Sequence, residues 1–372
     1  MLMDYTKRLK HHYQPKKGWI NDPNGLVYFK GYYHIFYQHS PNHEKPWFEP
    51  MVWGHTRTKD FINFEELPIA IAADMPYDKT GCWSGTAIVK DDTLYLFYAS
   101  VRKDDGAPAW DDNGRVESVS IAFSKDGINF EKYEGNPVIK TYPVDGGHNF
   151  RDPAVMEKDG KYYIVMATGQ PENKVGRLLC YESDNLIDWN YVGIMKEWQH
   201  ARYAECPSFM KYGDEFMLCA SYVKPDDHHH FAVMVGEFDG RSFTEKLSGE
   251  VDMGPDQYAG QAFTDDKGRN ILIAWVPGWS YQWDKCIGCM SLPRELTAKN
   301  GKIYGYPVKE VQHLLKDSDP ALIRTEKGFM IEREGRNPVI FEGEINDLKI
   351  LRDEYIIEVF INGGEKIYTA VL

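Results

Sequence analysis

The sequence predicts an all-β protein, and three observations carry that prediction. Five apolar, strand-like runs recur along the first three hundred residues: YYHIFYQH from Tyr32, LYLFYASV from Leu94, YYIVMATG from Tyr162, EFMLCASY from Glu215 and NILIAWVP from Asn270. They are rich in the β-branched and aromatic residues that suit a pleated, half-buried surface. A turn signal precedes each run (Lys30-Gly31, Asp91-Asp92, Asp159-Gly160, Gly213-Asp214, Lys267-Gly268), so each reads as the second strand of a hairpin. The chain carries no heptad pattern, no long amphipathic helix and no low-complexity tract.

A second echo supports the period. TKDFINFE (58–65), SKDGINFE (124–131), SDNLIDWN (183–190) and FDGRSFTE (238–245) each follow their strand run. Repeats of roughly 50 to 70 residues with about four short strands apiece suggest blades stacked around a central axis. The expected architecture is a five-bladed β-propeller over residues 1–296, followed by a shortened C-terminal β-sheet or sandwich module over 297–372. The tail LKILRDEYIIEVFINGGEKIYTAVL alternates apolar and polar residues and turns at Asn362-Gly363-Gly364, as paired strands do. An uncovered strand edge there would favour a homodimer.

Counting back ten positions from the start of each run lands on Asp22, Ser84, Asp152, Glu205 and Gly260. In a propeller these positions open the innermost strands and converge near the axis. Asp22 in WINDPNG, Asp152 in FRDPAV and Glu205 in AECPSF then become neighbours in one funnel. A single Asp-Pro pair is ordinarily a turn. Two Asp-Pro pairs and a Glu-Cys-Pro at one repeat phase read instead as a site. Three carboxylates with Trp19, Trp47, Trp53, Trp83 and Trp275 near them suit glycoside cleavage, where one acid must be charged and another protonated. Repulsion and partial desolvation would push their pKa values apart.

Composition narrows the partner. A net charge of −13 disfavours nucleic acid and anionic membrane surfaces, whereas 24 Tyr and 10 Trp among 372 residues suit stacking against a small neutral carbohydrate. The start of the chain is polar and basic, and no run of about 18 apolar residues occurs, so a cytoplasmic location is expected. Six scattered cysteines fit reduced thiols. No metal or other cofactor is expected. Cys286-Ile-Gly-Cys289 lacks a second pair to complete a zinc site, and the adjacent histidines of Asp226–His230 would point to alternate faces of a strand.

WINDPNG, FYQHSP (36–41), WGHT (53–56), WSGTA (83–87), FRDP (150–153), AECPSF and LPREL (292–296) occur in the order found in glycoside hydrolase family 32. The chain resembles that family of β-fructofuranosidases, which includes invertases, inulinases and levanases, from residue 11 to about 296. The resemblance implies that Asp22 is the nucleophile, that Glu205 is the acid and then the base, and that Asp152 accepts hydrogen bonds from furanose hydroxyls. Arg151 would hold Asp152 ionised. Asn21 and Gln38 would meet sugar hydroxyls, Trp47 and Trp83 would form walls, and Ser84 would donate. Asp256, Tyr258 and Trp275 resemble later pocket positions.

The implied reaction is retaining hydrolysis of a terminal β-fructofuranosidic bond by double displacement, with no cofactor. Sucrose is the first expected substrate, with sucrose-6-phosphate or a short fructo-oligosaccharide next. Lys45, Arg102, Lys103, Arg115 and Arg202 are scattered cations that could meet a phosphate. A fructosyltransferase would use the same covalent intermediate. An arabinan- or xylan-acting furanosidase would share the three acids but lack WINDPNG and WSGTA. A non-catalytic fructoside-binding or sensing protein would bind without turnover. One departure stands out: the family continues after LPREL into a sandwich of roughly 150 residues, and about 75 residues remain here.

Overall fold

The computed structural model describes residues 7–43, 49–104, 114–170, 174–224, 229–277 and 285–372. Each predicted run is the second strand of an antiparallel sheet. The first sheet orders Gly18–Phe29, Tyr32–Ser40, Val52–Thr58 and Phe64–Ile71, and the second orders Gly81–Lys90, Thr93–Arg102, Val116–Ser124 and Glu131–Lys132. Arg151–Lys158, Lys161–Gln170, Val175–Ser183 and Asn190–Gln199 form the third; Tyr203–Tyr212, Glu215–Val223, His229–Phe238 and Phe243–Gly249 form the fourth. Tyr258–Thr264, Asn270–Val276, Arg294–Lys299 and Lys302–Pro307 form the fifth.

The opening strands of these sheets touch one another in a closed cycle: first against second, second against third, third against fourth, fourth against fifth, and fifth back against first. The short strand Cys286–Ile287 reinforces the closure by pairing in parallel with Gly18 and Trp19, while Cys289–Met290 pairs with the second strand of the fifth sheet. All six cysteines are buried and free. No helix among the described residues is long and apolar enough to cross a membrane.

The second echo is a turn with its own chemistry. Asp60, Asp126, Asn185 and Asp239 each accept two backbone N–H groups, two and three residues on, at 2.7–2.9 Å. This side-chain turn joins the third and fourth strands of each of the first four sheets, and short Asx side chains suit it. The residue after each has a left-handed φ between 57° and 96°.

The fifth sheet runs past residue 296. Leu296 lies inside Arg294–Lys299, which pairs along its length with Lys302–Pro307, so the fifth sheet ends at Pro307. Beyond it, Leu322–Thr325, Gly328–Ile331 and Val339–Glu342 form one three-stranded sheet, and Leu348–Asp353, Ile356–Ile361 and Lys366–Val371 form another. Phe329 and Phe341 of the first share a core with Ile350, Val359 and Tyr368 of the second. The shortened module is therefore a small two-sheet stack with its own apolar interior.

A buried ion network fastens this module to the rest. Arg294 donates to Asp252 at 2.7 Å and to Glu358 at 2.9 Å, with these side chains fully buried. Glu358 also meets His12 Nε2 at 3.0 Å, and His12 Nδ1 meets Asp353 at 3.0 Å. A ring whose two nitrogens both face carboxylates is an imidazolium. Burial opposes the charged ring, but the hydrogen bonds and charges of Asp353 and Glu358 outweigh it and push His12 up to about 9. Burial likewise raises Glu358, yet Arg294 and His12 bring it down to about 2.

These shifts set a pH window. The His12 contribution to stability is complete below pH 6.5 and is lost as pH rises towards 9, whereas that of Glu358 is complete above 4.5 and is lost as pH falls towards 2. The melting temperature should therefore fall between pH 6.5 and 9, and His12→Gln should flatten that fall. Calorimetry across the range checks this, and an unchanged slope in the variant would contradict it.

Candidate active site

Asp22, Ser84, Asp152, Glu205 and Gly260 all lie on the opening strands of the five sheets. Each of those strands breaks register beside its marked residue: between Ile20 and Pro23, Trp83 and Gly85, Arg151 and Ala154, Glu205 and Ser208, and Tyr258 and Gln261. A bulge bends a strand and re-aims its side chains, so one irregularity repeated five times turns these positions toward a common point. Asp152 has φ +59° and Cys206 +47°, left-handed conformations that Asp tolerates better than most residues. At Gly260 a Cβ would lie 2.9 Å from the Phe231 ring, so the fifth strand brings no side chain there.

The three acids are joined by short contacts. The Cys206 N–H donates to Asp152 Oδ2 at 2.9 Å, and its thiol lies 3.6 Å from that oxygen and 3.4 Å from Asp22 Oδ2. Arg151 Nη2 donates to Glu205 Oε1 at 2.7 Å, and the Tyr258 hydroxyl donates to Glu205 Oε2. Asp22 is held on both oxygens, by Ser84 Oγ at 2.7 Å and by Asn21 Nδ2 at 3.0 Å. Trp19 Nε1 donates to Asn21 Oδ1 at 2.7 Å, which turns the amide so that its NH₂ faces Asp22.

Burial and crowding work against ionisation here. Burial raises Asp22, the charge of Glu205 adds to it, and the hydrogen bonds from Ser84, Asn21 and Cys206 oppose it. Asp152 is pushed up to about 7, chiefly by burial and then by the charges of Asp22 and Glu205, against Arg151 and the Cys206 N–H. One compartment thus holds a carboxylate fixed by two donors and a second that retains a proton to near neutrality.

The family model for the glycosyl hydrolases family 32 N-terminal domain matches residues 12–307, ending where the fifth sheet ends. The chain belongs to glycosyl hydrolase family 32. It is 32% identical over 367 residues to the sucrose-6-phosphate hydrolase of Zymomonas mobilis subsp. mobilis (strain ATCC 31821 / ZM4 / CP4), covering 92% of this chain and 69% of the relative. Identity to the sucrose-6-phosphate hydrolase of Bacillus subtilis (strain 168) is 31%, covering 98% of this chain and 88% of that protein. A solved family 32 β-fructofuranosidase of Bombyx mori has a TM-score of 0.83 at 27% identity, covering 100% of this chain and 90% of that one.

The structure gives partners to several of the residues expected to line the family 32 pocket. Arg151 reaches Glu205, while its Nε stays 4.0 Å from Asp152, so the guanidinium chiefly serves the other acid. Asp256 accepts from Arg333, Arg336 and the Val371 N–H, which ties it to the C-terminal module. Gln38 is buried and donates to the Cys82 carbonyl at 3.0 Å. Trp83 packs near two guanidiniums, with Arg115 at 5.0 Å and Arg151 at 5.7 Å from its ring, and Trp275 packs edge-on against Trp19 at 5.7 Å. Trp47 and Lys45 lie outside the described residues.

Other residues drew attention for different reasons. His230 pairs with Glu250 at 2.9 Å, and His229 lies edge-on to Tyr258 at 4.4 Å; His228 is outside the described residues. Arg102 and Arg115 are already paired, with Asp104 at 3.3 Å and Glu117 at 3.0 Å. Sequence reasoning missed Asn149 and Glu117, both in contact with Arg151. For Asn149 the signal was its place two residues before Arg151; Glu117 sits on another sheet and gave none.

Asp152 carries a stability cost with a defined sign. Its proton affinity is higher folded than unfolded, so the penalty is absent below pH 3.8, grows as pH rises and is complete above about 7. Asp152→Asn keeps an acceptor for the Cys206 N–H and tolerates the left-handed backbone. It should raise the melting temperature at pH 8 by roughly 2–5 °C, with the gain vanishing below pH 4, while turnover falls by at least about a hundredfold. Thermal melts at the two pH values check it; destabilisation at pH 8 would contradict it.

Proposed function

We propose that this chain is a retaining β-fructofuranosidase that releases fructose from sucrose, its 6-phosphate or short fructo-oligosaccharides. The observation that carries the reading is the pairing of Asp22, fixed by Ser84 and Asn21, with Glu205, held by Arg151 and Tyr258, inside the ring of opening strands. The fold is read as a five-bladed propeller ending at Pro307, with a two-sheet module after it, a reading supported by the cyclic contacts of the five sheets.

Each residue has a role in that chemistry. Asp22 attacks the anomeric carbon while Glu205 protonates the departing oxygen; Glu205 then takes a proton from water, which releases fructose from Asp22. Two hydrogen bonds leave Asp22 few rotamers, so its attack begins from a fixed geometry. Asp152 accepts hydrogen bonds from the ring hydroxyls as positive charge grows on the sugar. Trp83, backed by two guanidiniums, offers a rigid wall. The substrate range is drawn from the relatives: sucrose-6-phosphate hydrolases by name, and the Bombyx mori enzyme, a variant of which was solved in complex with sucrose.

The test is product analysis on sucrose, sucrose-6-phosphate, 1-kestose, inulin and levan, with Asp22→Asn as the blank. Fructose should appear with the unaltered protein and fall by more than about a thousandfold in the variant. Release from none of the five would contradict the proposal. Glu205→Gln should slow sucrose at least about a hundredfold more than a nitrophenyl fructoside, whose leaving group needs no proton. Equal losses on both would remove Glu205 from the acid role.

A further inference from the structure

We propose that Glu117, a buried carboxylate behind Arg151, is a positioning residue that sets the pH range over which Glu205 keeps its proton. The inference rests on the reading of Glu205 as the acid. Arg151 has two working ends. Nη2 donates to Glu205 Oε1 at 2.7 Å, while Nη1 donates to Asn149 Oδ1 at 2.6 Å and lies 3.5 Å from Glu117 Oε1. The same Glu117 oxygen meets Arg115 Nη2 at 3.0 Å, and the other accepts the Phe150 N–H at 2.8 Å. Arg115 Nη2 also reaches Asn149 Oδ1, at 3.1 Å. The side chains of Glu117 and Arg115 are each 4% exposed.

Two guanidiniums therefore stand behind one oxygen of the acid, and Glu117 is the carboxylate between them. Glu205 is faced by Arg151 and Asp152 from the third sheet, by Asp22 from the first and by Tyr258 from the fifth, with Cys206 beside it on its own strand. Tyr203, also on that strand, lies under the Arg151 guanidinium at 5.4 Å. Asn149 supplies an acceptor to both arginines but no charge. Without the charge of Glu117, Glu205 would answer both cations and release its proton at lower pH, before the leaving group needs it. Holding Arg151 from behind also fixes Oε1, the oxygen that Arg151 grips, while Oε2 faces the Tyr258 hydroxyl.

The experiment measures kcat/KM for sucrose against pH in the unaltered protein, Glu117→Gln, Arg115→Gln, the double variant and Glu205→Gln, with near-ultraviolet circular dichroism to confirm folding. Glutamine at 117 keeps an acceptor for the Phe150 N–H and removes only the charge. The basic limb should move down by about one pH unit in Glu117→Gln, the scale expected for one charge at an effective dielectric constant of about 20. It should move up in Arg115→Gln and return to within a few tenths of a unit in the double variant. A folded Glu117→Gln with an unmoved limb, or single variants that shift the limb the same way, would overturn the proposal. The acid assignment is read separately: a basic limb that survives in the residual activity of Glu205→Gln would defeat that reading, whatever Glu117 does.

Discussion

The structure turns on placing three carboxylates, buried Asp152 with half-buried Asp22 and Glu205, inside one compartment where like charges crowd together. Such a cluster costs stability unless donors answer it, and the fold supplies them unevenly. Asp22 has Ser84 and Asn21; Glu205 has Arg151 and Tyr258; Asp152 has the Cys206 N–H and a guanidinium 4.0 Å away. The three acids therefore differ in the number and kind of donors that hold them.

The backbone is shaped around that demand. Five opening strands close on one another, and each breaks register beside its marked residue, so carboxylates separated by 53 to 183 positions in sequence share contacts with Cys206 or Arg151. Rigidity comes from behind. Trp19 fixes Asn21, two guanidiniums hold Trp83, and Asn149 with Glu117 holds the far end of Arg151. The C-terminal module is fastened by the charges of His12, Asp252, Asp256, Arg294 and Glu358.

Strand positions and the phase of the three acids were legible in the sequence because both depend on short-range patterns: turn residues, β-branched runs and a repeated offset of ten residues. The Asx turns left the same kind of trace, since Asp60, Asp126, Asn185 and Asp239 act on their own neighbours. What was not legible depends on partners from other sheets. Arg151 sits beside Asp152 in sequence, yet its side chain reaches across to Glu205, a direction that adjacency cannot reveal. Asp256, two residues from Tyr258, is drawn to Arg333 and Arg336 of a module whose packing no local pattern encodes. The extent of the fifth sheet was hidden for the same reason: LPREL ends inside a strand whose partner follows it.

The central claim is that Asp22 attacks directly and Glu205 acts from the opposite side, so the sugar is displaced twice. The most direct measurement is sucrose turnover in water containing methanol, with the configuration of the methyl fructofuranoside read by NMR early in the reaction, before the enzyme hydrolyses it. The account predicts the β-anomer, the configuration of the substrate. The α-anomer would mean a single displacement by solvent and would contradict the roles given to Asp22 and Glu205.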